Sequence, residues 1–546
     1  MPRKLIDKIP VGAVILLMLL CLSPMMCLRD YTPSNELRYL SIVDEALEQG
    51  HVFAFTSHGE DYADKPPLYF WLMMLFKILL GEHSMFALSL LSFIPACIII
   101  AVMDKWLRTA HPGRFTPSQR VAAALMLATT GLFLGMTAFL RMDMMMCMWI
   151  VLALWTFWKW DNGIGRSGAH RILLPVYTFL ALFTKGPVGL LVPPVAIIVI
   201  LCASRRFKLV GRYLGLAFWG ILAALCAVWF TGVYLEAGTG YLGNLLFHQT
   251  VDRAVNSFHH KAPFWYYLVI VWAVMAPWCL STVPAIIGGL LKRRGSQEAP
   301  STYEKTLALT SLSTFVMLSC FSSKLAIYLA PVFPFAVYLW PAVVQRKGWN
   351  GWRTAAIRIP AILAILLGIL AAATGLVCLL FPQVPEFISF PFLKSPLVMA
   401  AGLVLTIGGL IGAVHSAEWE RAVTAVSVSL LLAVCLLSFK LTAINDYIGY
   451  GNLCKLVPAE GQVYTLQVHR PENMDVYLGR EIYDFGKDTD SFLFLAPTEG
   501  TLIMPVKALS DSEALGEYVE DFDVQYCGPY AVYSLAPKSR PRRSRK

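Results

Sequence analysis

The sequence predicts a mainly α-helical, polytopic membrane protein, in which a bundle of about 13 transmembrane helices precedes a C-terminal soluble α/β domain. Of its 546 residues, 57% are hydrophobic and only 15% are charged. Soluble globular chains are roughly 45–50% apolar and about 25% charged. The excess of apolar residues lies in long runs within residues 1–441, and the rest of the chain lacks such runs. These observations exclude an ordinary soluble enzyme and indicate that lipid solvates the first part of the chain.

Apolar runs of about 18 or more residues predict the transmembrane spans, because a helix satisfies its own backbone polar groups in lipid. The predicted spans are residues 10–28, 84–107, 119–140, 144–160, 171–184, 186–203, 213–235, 263–290, 305–321, 325–344, 355–382, 395–415 and 420–441. Lysine and arginine collect in alternate connections, which places the N-terminus in the cytoplasm and the segment after residue 441 outside. The many later spans favour an uncleaved first helix over a cleaved signal peptide.

Three predicted non-cytoplasmic segments are long enough to carry chemistry: residues 29–83, 236–262 and 442–546. In the first, amphipathic periodicity predicts one helix over residues 35–49 and another over residues 67–80. We expect these two helices to lie along the membrane surface rather than to cross it.

Residues 442–537 are predicted to form a small α/β domain, because short β-like runs alternate there with a helical pattern. The predicted strands are residues 463–468, 492–495, 501–506 and 531–535, and the predicted helix is residues 510–518. Cys454 and Cys527 fall in this domain, and a disulfide and two buried thiols are equally compatible with the sequence.

The formal net charge of +10 does not indicate a nucleic-acid-binding protein. Six of the 45 basic residues fall in the tail, residues 538–546, and many of the others lie in the loops that set the orientation in the membrane. We expect no nucleic-acid partner. The tail is better suited to contact anionic membrane lipids or lipopolysaccharide phosphates.

Charged residues that adjoin the predicted spans collect on the non-cytoplasmic side. They are Asp30, Glu36, Arg38, Asp64, Lys65, Asp143, Lys185 and Lys324. Ionised groups next to a bilayer are costly, so they are candidates for function. A single lysine at a helix end more often extends to the interface, so the prediction depends on the whole set. The basic members can hold a phosphate headgroup, while a carboxylate accepts the proton of an acceptor hydroxyl.

The second external loop contains His248, His259 and His260 and an aromatic run at residues 264–267. Histidine with a carboxylate can bind a divalent metal, but no fixed-spacing zinc motif is present. The sequence pattern therefore leaves metal binding open. The aromatic run is more typical of a membrane-interface belt than of a sugar platform.

Several of these segments together resemble the lipid A aminoarabinose transferase family, a branch of the group that includes protein O-mannosyltransferases. The similar segments, in order and spacing, are residues 33–39, 62–66, 184–186, 260–267 and 323–328. The resemblance implies a GT-C-type membrane glycosyltransferase of the inner membrane with its active site on the periplasmic face. Its donor would be a polyprenyl phosphate carrying a sugar such as 4-amino-4-deoxy-L-arabinose, and its acceptor lipid A or another envelope molecule.

The resemblance also assigns residues by position. It implies that Lys65 contacts the donor phosphate, assisted by Arg38, Lys185 and Tyr328, and Lys324 is a further phosphate-binding candidate. Two other positions match the metal site of the family. Asp64 stands where the family has a glutamate, and His248 is the match to its histidine, so a zinc or magnesium ion is expected.

One position departs from the family pattern, because Asn35 stands where the family has its proposed catalytic aspartate. An asparagine side chain cannot take up a proton at neutral pH. We favour a base supplied by Glu36, Asp143 or Asp30. The remaining alternatives are that the aspartate is replaceable in this branch, or that the chain is inactive.

Two other functions fit the same pattern. A glycosyltransferase of this architecture could act on protein serine and threonine or on an envelope glycan, because the sequence carries no readable acceptor code. A flippase for polyprenyl-phosphate lipids would bind the same headgroup without chemistry. The surface acids and the two amphipathic external helices favour the enzyme.

Overall fold

The chain folds into two compact units in a computed structural model. The structure describes residues 9–246, 261–292, 298–381, 392–393 and 395–536. The membrane unit comprises Met1–Met26, Val52–Ala54 and Asp61–Ser438. The sheet unit comprises Cys27–His51, Phe55–Glu60 and Phe439–Lys546. His248 and the basic tail predicted at residues 538–546 lie outside the described residues.

The membrane unit is helical, as predicted. Within the described residues, eight helices are long and apolar enough to cross a membrane. They are Pro10–Leu28, Met85–Ala110, Met142–Asp161, Leu216–Leu246, Ala326–Lys347, Gly351–Leu380, Pro396–Val414 and Trp419–Ser438. A bent pair of helices, Pro117–Ala128 and Gly131–Ala138, makes a ninth if it counts as one span. The predicted number of about 13 spans remains a prediction.

Other predicted spans are helices that are shorter or less apolar. They are Ser167–Lys185, Pro187–Ala203, Tyr266–Val274, Cys279–Gly288 and Thr302–Cys320. The remaining α-helices are Arg38–Gln49, Leu68–Leu80, Val210–Tyr213, Asn445–Ile448, Gly451–Cys454, Asp475–Leu478, Thr489–Leu495, Lys507–Asp511 and Glu513–Val519. The two predicted external helices are therefore present, and a π-helical turn at Pro33–Leu37 precedes the first.

The span predicted over residues 119–140 is divided into two helices, between which the chain bends by 72°. The bend lies at Thr129 and Thr130, whose hydroxyls donate to the carbonyls of Leu125 and Met126 at 2.7 and 2.8 Å. Such bonds from a side chain to the preceding turn bend helices. The backbone N–H of Gly131 instead donates to the carbonyl of Ala276.

Glycine allows the helices Gly351–Leu380 and Pro396–Val414 to approach closely. A methyl group added at Gly402 would lie 2.4 Å from the backbone nitrogen of Ala372, and one at Gly368 would lie 2.6 Å from the carbonyl of Gly402. Small residues at membrane helix contacts let backbones pack directly. These two helices therefore have no room for a side chain at their contact.

Arginine–carboxylate pairs join helices of the membrane unit near the ends that carry the basic loops. Asp104 accepts hydrogen bonds from Arg120 at 2.7 and 2.8 Å and from Arg108 at 3.0 Å. Arg206 binds both oxygens of Asp161 at 2.8 Å. Because Asp104 and Arg120 are almost fully buried, each needs the other's charge.

The sheet unit contains the predicted α/β domain. After a short hairpin of β1 (Thr56–Ser57) and β2 (Glu60–Asp61), its sheet is built from β3 (Val463–Thr465), β4 (Tyr483–Asp484), β5 (Thr501–Pro505), β6 (Asp523–Cys527) and β7 (Tyr530–Ser534). The strand order is β4-β3-β5-β7-β6. β3 runs parallel to β4 and β5, whereas β7 is antiparallel to β5 and β6. Cys454 and Cys527 are buried free thiols.

The strand predicted over residues 492–495 is wrong, because this run belongs to the helix Thr489–Leu495. Asp488 caps the helix by accepting hydrogen bonds from the backbone N–H and hydroxyl of Ser491, at 3.0 and 2.6 Å. Phe492 is fully buried in the core of the domain. A continuous apolar run of so few residues fits either structure, and the cap favours the helix.

Replacing Gly402 by alanine is expected to destabilise the membrane unit by about 1–3 kcal/mol, because the new methyl group forces two helix backbones apart. Gly220→Ala is the matched control, since Gly220 also lies in a membrane helix and nothing approaches within 4 Å of an added methyl group. Thermal unfolding in detergent measures both variants. Equal apparent Tm values for the two variants would contradict the close contact.

Candidate functional site

Asp143 and Lys185 form an ion pair between two helix ends of the membrane unit. Asp143 lies in the first turn of Met142–Asp161, and Lys185 is the last residue of Ser167–Lys185. The Lys185 ammonium donates a hydrogen bond to Oδ1 of Asp143, and the two side chains are 15% and 6% exposed. A carboxylate at a helix N-terminus and an ammonium at a helix C-terminus each face the favourable end of a helix dipole.

Tyr328 completes this group, because the Lys185 ammonium lies 5.2 Å from the centroid of its ring. Tyr328 belongs to the 3-10 segment Ala326–Val332. A cation over an aromatic face is held by electrostatic attraction to the ring. Three residues that are distant in the sequence thus form one group, named here the Asp143 cluster: Asp143, Lys185 and Tyr328. Their convergence was predicted, and their roles stay predictions.

Ser92 positions the chain that leads into the Asp143 cluster. Its hydroxyl accepts a hydrogen bond from the backbone N–H of Arg141 at 3.0 Å and lies 3.2 Å from the Arg141 carbonyl, to which it donates. Ser92 is fully buried. Both peptide groups of Arg141 are therefore held immediately before the helix that carries Asp143. This role of Ser92 cannot be predicted from the sequence, because a single serine inside an apolar run is common.

The ammonium of Lys324 contacts backbone carbonyl groups of the membrane unit. Its ammonium donates to the carbonyl of Ala262 at 3.0 Å and to the carbonyl of Phe321. An antiparallel bridge between Lys261 and Ser323 lies beside it. This geometry joins two loops of the membrane unit. The predicted contact of Lys324 with a phosphate stays a prediction.

Lys65 and Asp64 adjoin each other in the membrane unit. The Lys65 ammonium lies 3.3 Å from the carbonyl of Asp64, to which it donates. The hydroxyl of Tyr241 donates to the nearby carbonyl of Tyr62 at 2.8 Å, so the backbone before Asp64 is held in place. Both Lys65 and Asp64 are half-buried. Their side chains are thus partly accessible to a ligand.

The predicted metal ligands do not form a complete set within the described part of the chain. There, no three His, Cys, Asp or Glu side chains come together in a group that could hold a metal ion. Asp64 alone supplies one carboxylate, whereas a bound ion needs several ligands. His248 lies outside the described residues. A divalent ion at these residues stays a prediction, and no step below is routed through one.

Glu36 is locked in an ion pair within the sheet unit. Arg29 donates to both carboxylate oxygens of Glu36 at 2.7 Å, in a two-pronged geometry. The backbone N–H and the hydroxyl of Thr32 also donate to Glu36, at 2.9 and 3.0 Å. The side chains of Arg29 and Glu36 are 2% and 0% exposed. This arrangement stabilises the turn that precedes Arg38 and favours a positioning role for Glu36.

Asp30 holds together distant parts of the sheet unit. Its carboxylate accepts hydrogen bonds from the backbone N–H of Gly451 at 2.6 Å and from the hydroxyl of Tyr477 at 2.5 Å. Its own backbone N–H donates to the side chain of Asn445 at 3.0 Å. Burial, together with the neighbouring Asp30 charge, raises the pKa of Tyr477, so this phenol stays protonated and donates. Asp30 therefore has a structural role in addition to its predicted role as a base.

Asn35 and Arg38 lie one turn apart at the start of the first external helix. The carbonyl of Asn35 accepts the backbone N–H of Arg38, and the Arg38 guanidinium lies 6.0 Å from the ring centroid of Tyr39. Asn35 and Arg38 are half-buried. Both belong to the sheet unit, whereas Lys65 and the Asp143 cluster belong to the membrane unit.

Replacing Glu36 by glutamine is expected to destabilise the sheet unit by about 3–5 kcal/mol, because it leaves the buried Arg29 charge without its counter-charge. Glu472→Gln is the matched control. Glu472 pairs with Arg470 at the surface, and such pairs contribute about 0–1 kcal/mol. Thermal unfolding in detergent compares the two variants with the parent chain. A loss no larger for Glu36→Gln than for Glu472→Gln would contradict the anchoring role.

Comparison with known sequences finds relatives that are all named as glycosyltransferases. A family model described as dolichyl-phosphate-mannose-protein mannosyltransferase matches residues 64–230. The chain is 28% identical over 346 residues to the undecaprenyl phosphate-alpha-4-amino-4-deoxy-L-arabinose arabinosyl transferase of Edwardsiella ictaluri (strain 93-146), covering 61% of this chain and 59% of that relative. It is 26% identical over 432 residues to the protein of the same name from Pseudomonas aeruginosa (strain UCBPP-PA14), covering 78% of this chain and 74% of that relative.

Solved structures agree with the sequence relatives. The crystal structure of ArnT from Cupriavidus metallidurans bound to undecaprenyl phosphate matches with a TM-score of 0.74 and 17% identity, over 97% of this chain and 99% of that chain. The apo state of the same protein matches with a TM-score of 0.72, over 99% of this chain and 100% of that chain. This likeness confirms the predicted fold class. In sequence and in fold, the chain is therefore similar to ArnT-like glycosyltransferases.

Proposed function

We propose that this protein is an integral-membrane glycosyltransferase that moves a sugar from a polyprenyl-phosphate donor to an envelope acceptor. The names of the relatives favour 4-amino-4-deoxy-L-arabinose as the sugar and undecaprenyl phosphate as its carrier. Lipid A is the acceptor that the sequence resemblance implies. Membrane lipids surround the helical unit, and nucleic acid has no place in this function.

The Asp143 cluster is the observation that carries this proposal. It places a buried carboxylate beside a half-buried ammonium and a half-buried phenol in the membrane unit. Structural ion pairs in this chain use arginine, which stays charged and binds carboxylates in a fixed geometry. Lysine is a compact point charge suited to a phosphate. The lysine at this position therefore fits a site that exchanges partners.

The proposed reaction is a direct displacement at the anomeric carbon of the sugar. The acceptor hydroxyl oxygen forms a bond to that carbon, and the bond from the carbon to the phosphate oxygen breaks. The electron pair of the broken bond leaves with the lipid phosphate, and the acceptor proton passes to a carboxylate. Lys65 and Lys185 stabilise the charge on the departing phosphate. Exclusion of water at the buried cluster limits hydrolysis of the donor.

Asp143 is the base that this geometry favours over Glu36 and Asp30. The two carboxylates of the sheet unit accept several hydrogen bonds each, which leave few positions for an acceptor. Asp143 has the Lys185 ammonium as its hydrogen-bonded ionic partner. When the donor phosphate attracts Lys185, an oxygen of Asp143 becomes available to the acceptor. Donor binding and activation of the base are then coupled.

We place the active site on the periplasmic face of the inner membrane. The distribution of basic residues supports this orientation, since Arg108, Arg120 and Arg206 lie near the opposite helix ends from Asp143 and Lys185. Short loops rich in lysine and arginine are retained in the cytoplasm.

A protein O-glycosyltransferase of the same architecture is the second candidate. The family model over residues 64–230 is described as a protein mannosyltransferase, which favours a hydroxyl-bearing side chain as acceptor. The proposed displacement is the same for both acceptors. The difference is the molecule that gains the sugar.

Comparing envelopes from cells with and without the gene tests the acceptor. We expect mass spectrometry to find lipid A heavier by one sugar only when the gene is present. Unchanged lipid A with altered glycoproteins would favour the second candidate. Unchanged lipid A, glycoproteins and glycans would contradict a transferase and favour the flippase.

Variants of the Asp143 cluster test the mechanism. Asp143→Asn is expected to lower transfer by about a hundredfold or more, because the base is lost, while donor binding is retained or tighter because Lys185 is released. Lys185→Met is expected to weaken donor binding by about tenfold or more, because a charge-assisted contact with the phosphate is lost. Purified protein in nanodiscs, assayed for binding and for single-turnover transfer, separates the two effects.

Glu418→Gln serves as the control for these variants, since Glu418 forms an exposed ion pair with Arg421 away from the cluster. Unchanged transfer by Asp143→Asn would remove Asp143 as the base. Loss of donor binding in that variant would contradict the competition for Lys185.

A further inference from the structure

Two lysines from neighbouring helices converge on one tryptophan near an end of the membrane unit. The ammonium of Lys159 lies 3.9 Å from the ring centroid of Trp155, and that of Lys105 lies 5.1 Å from the same centroid. Trp155 is 9% exposed, Lys159 is half-buried and Lys105 is exposed. These three residues are named here the Trp155 site. Two like charges are therefore held within a few ångströms of one ring.

Neither lysine has an acidic partner within the described part of the chain. The charged neighbour that acts on Lys159 is Lys105, which repels it. The two acids that are nearest in sequence are both occupied. Asp104 binds two arginines, and Asp161 binds a third arginine and a tyrosine hydroxyl. Arg108, Arg120 and Arg206 thus have acidic partners, whereas within the described residues this pair of lysines has none.

The location of the Trp155 site makes this imbalance costly. Lys105 lies near the C-terminal end of Met85–Ala110, and Lys159 lies in the last turn of Met142–Asp161. Both helices are long and apolar enough to cross a membrane. An ammonium near the end of such a helix normally extends toward water, but here both side chains turn to one indole ring. An anion from the membrane would supply the counter-charge for both lysines at this position.

We propose that the Trp155 site binds the phosphate of an anionic membrane lipid, with both ammonium groups donating to the phosphate oxygens and the indole ring packing against the headgroup. The exposed side chain of Lys105 leaves the site open to the surroundings of the helices, from which a lipid can enter. Basic pockets between transmembrane helices are suited to such headgroups.

This site is distinct from the proposed donor site. Asp143 lies in the first turn and Lys159 in the last turn of the same 20-residue helix, which is about 30 Å long. A lipid phosphate at Trp155 therefore lies at the opposite end of that helix from the Asp143 cluster. The inference does not rest on the glycosyltransferase activity.

Native mass spectrometry of the purified full chain tests the proposal. The protein is incubated with phosphatidylglycerol or with zwitterionic phosphatidylcholine, and retained lipid is counted. The test variant is Lys105→Met with Lys159→Met, which keeps the aliphatic length and removes both charges. Because each interfacial lysine is worth about 1 kcal/mol toward an anionic lipid, we expect phosphatidylglycerol to bind about thirtyfold more weakly to this variant. Phosphatidylcholine retention should be unchanged.

Two further variants keep the test decisive. Lys105→Arg with Lys159→Arg keeps the charges and is expected to retain phosphatidylglycerol. Lys507→Met removes a charge from an exposed lysine of the sheet unit and should change nothing. If the double methionine variant does not fold, Lys159→Met alone is compared with Lys159→Arg. Equal phosphatidylglycerol retention by the methionine variants and the parent would overturn the proposal.

Inorganic phosphate distinguishes a lipid from a free ion as the ligand. We expect millimolar inorganic phosphate to leave phosphatidylglycerol bound, because the lipid tail adds to the contact with the headgroup. Displacement of the lipid by inorganic phosphate would overturn the lipid as ligand and indicate a simple anion site.

Discussion

The need to give buried charges an opposite charge or hydrogen-bonding partners governs this protein more than any other constraint. An ionised side chain removed from water is costly unless an opposite charge and hydrogen bonds replace the water. Asp104 with Arg120, Glu304 with Arg346 and Glu36 with Arg29 meet this need through short arginine contacts of 2.7 Å. Such pairs hold helices or turns in one relative arrangement.

The Asp143–Lys185 pair meets the same need with a different residue type. Its position at two helix ends stabilises both charges, and its lysine can turn to a phosphate more readily than an arginine fixed in a two-pronged contact. The resting pair is thus neutral, and a donor phosphate competes with Asp143 for the same cation. The Trp155 site is the contrasting case, because its two cations are not neutralised by an acid in the described part of the chain.

Much of the candidate site could be predicted from the sequence, because costly charges beside apolar runs are conspicuous. This reasoning predicts Asp143 and Lys185 as site residues, and the family resemblance predicts Tyr328. The structure brings the three residues together. The contacts of Glu36, Asp30 and Lys324 could not be predicted. A carboxylate that anchors a turn and one that accepts a proton look alike in a sequence, since the difference lies in which donors surround the oxygens. Arg29, which pairs with Glu36, and Ser92, which holds the backbone of Arg141, likewise have no distinguishing pattern in the sequence.

Composition and periodicity by themselves determined that this chain is a helical membrane protein with a terminal α/β domain, because burial in lipid and pairing in a sheet each require a particular pattern of apolar residues. Tertiary structure alone decided the bend at Thr129 and Thr130, the helix at Thr489–Leu495 and the partner of each buried charge. Those outcomes depend on hydrogen bonds. Some form only in a particular local geometry, and others join residues from distant parts of the chain. A pattern of hydrophobicity shows which residues avoid water. It does not show which partner each polar group binds.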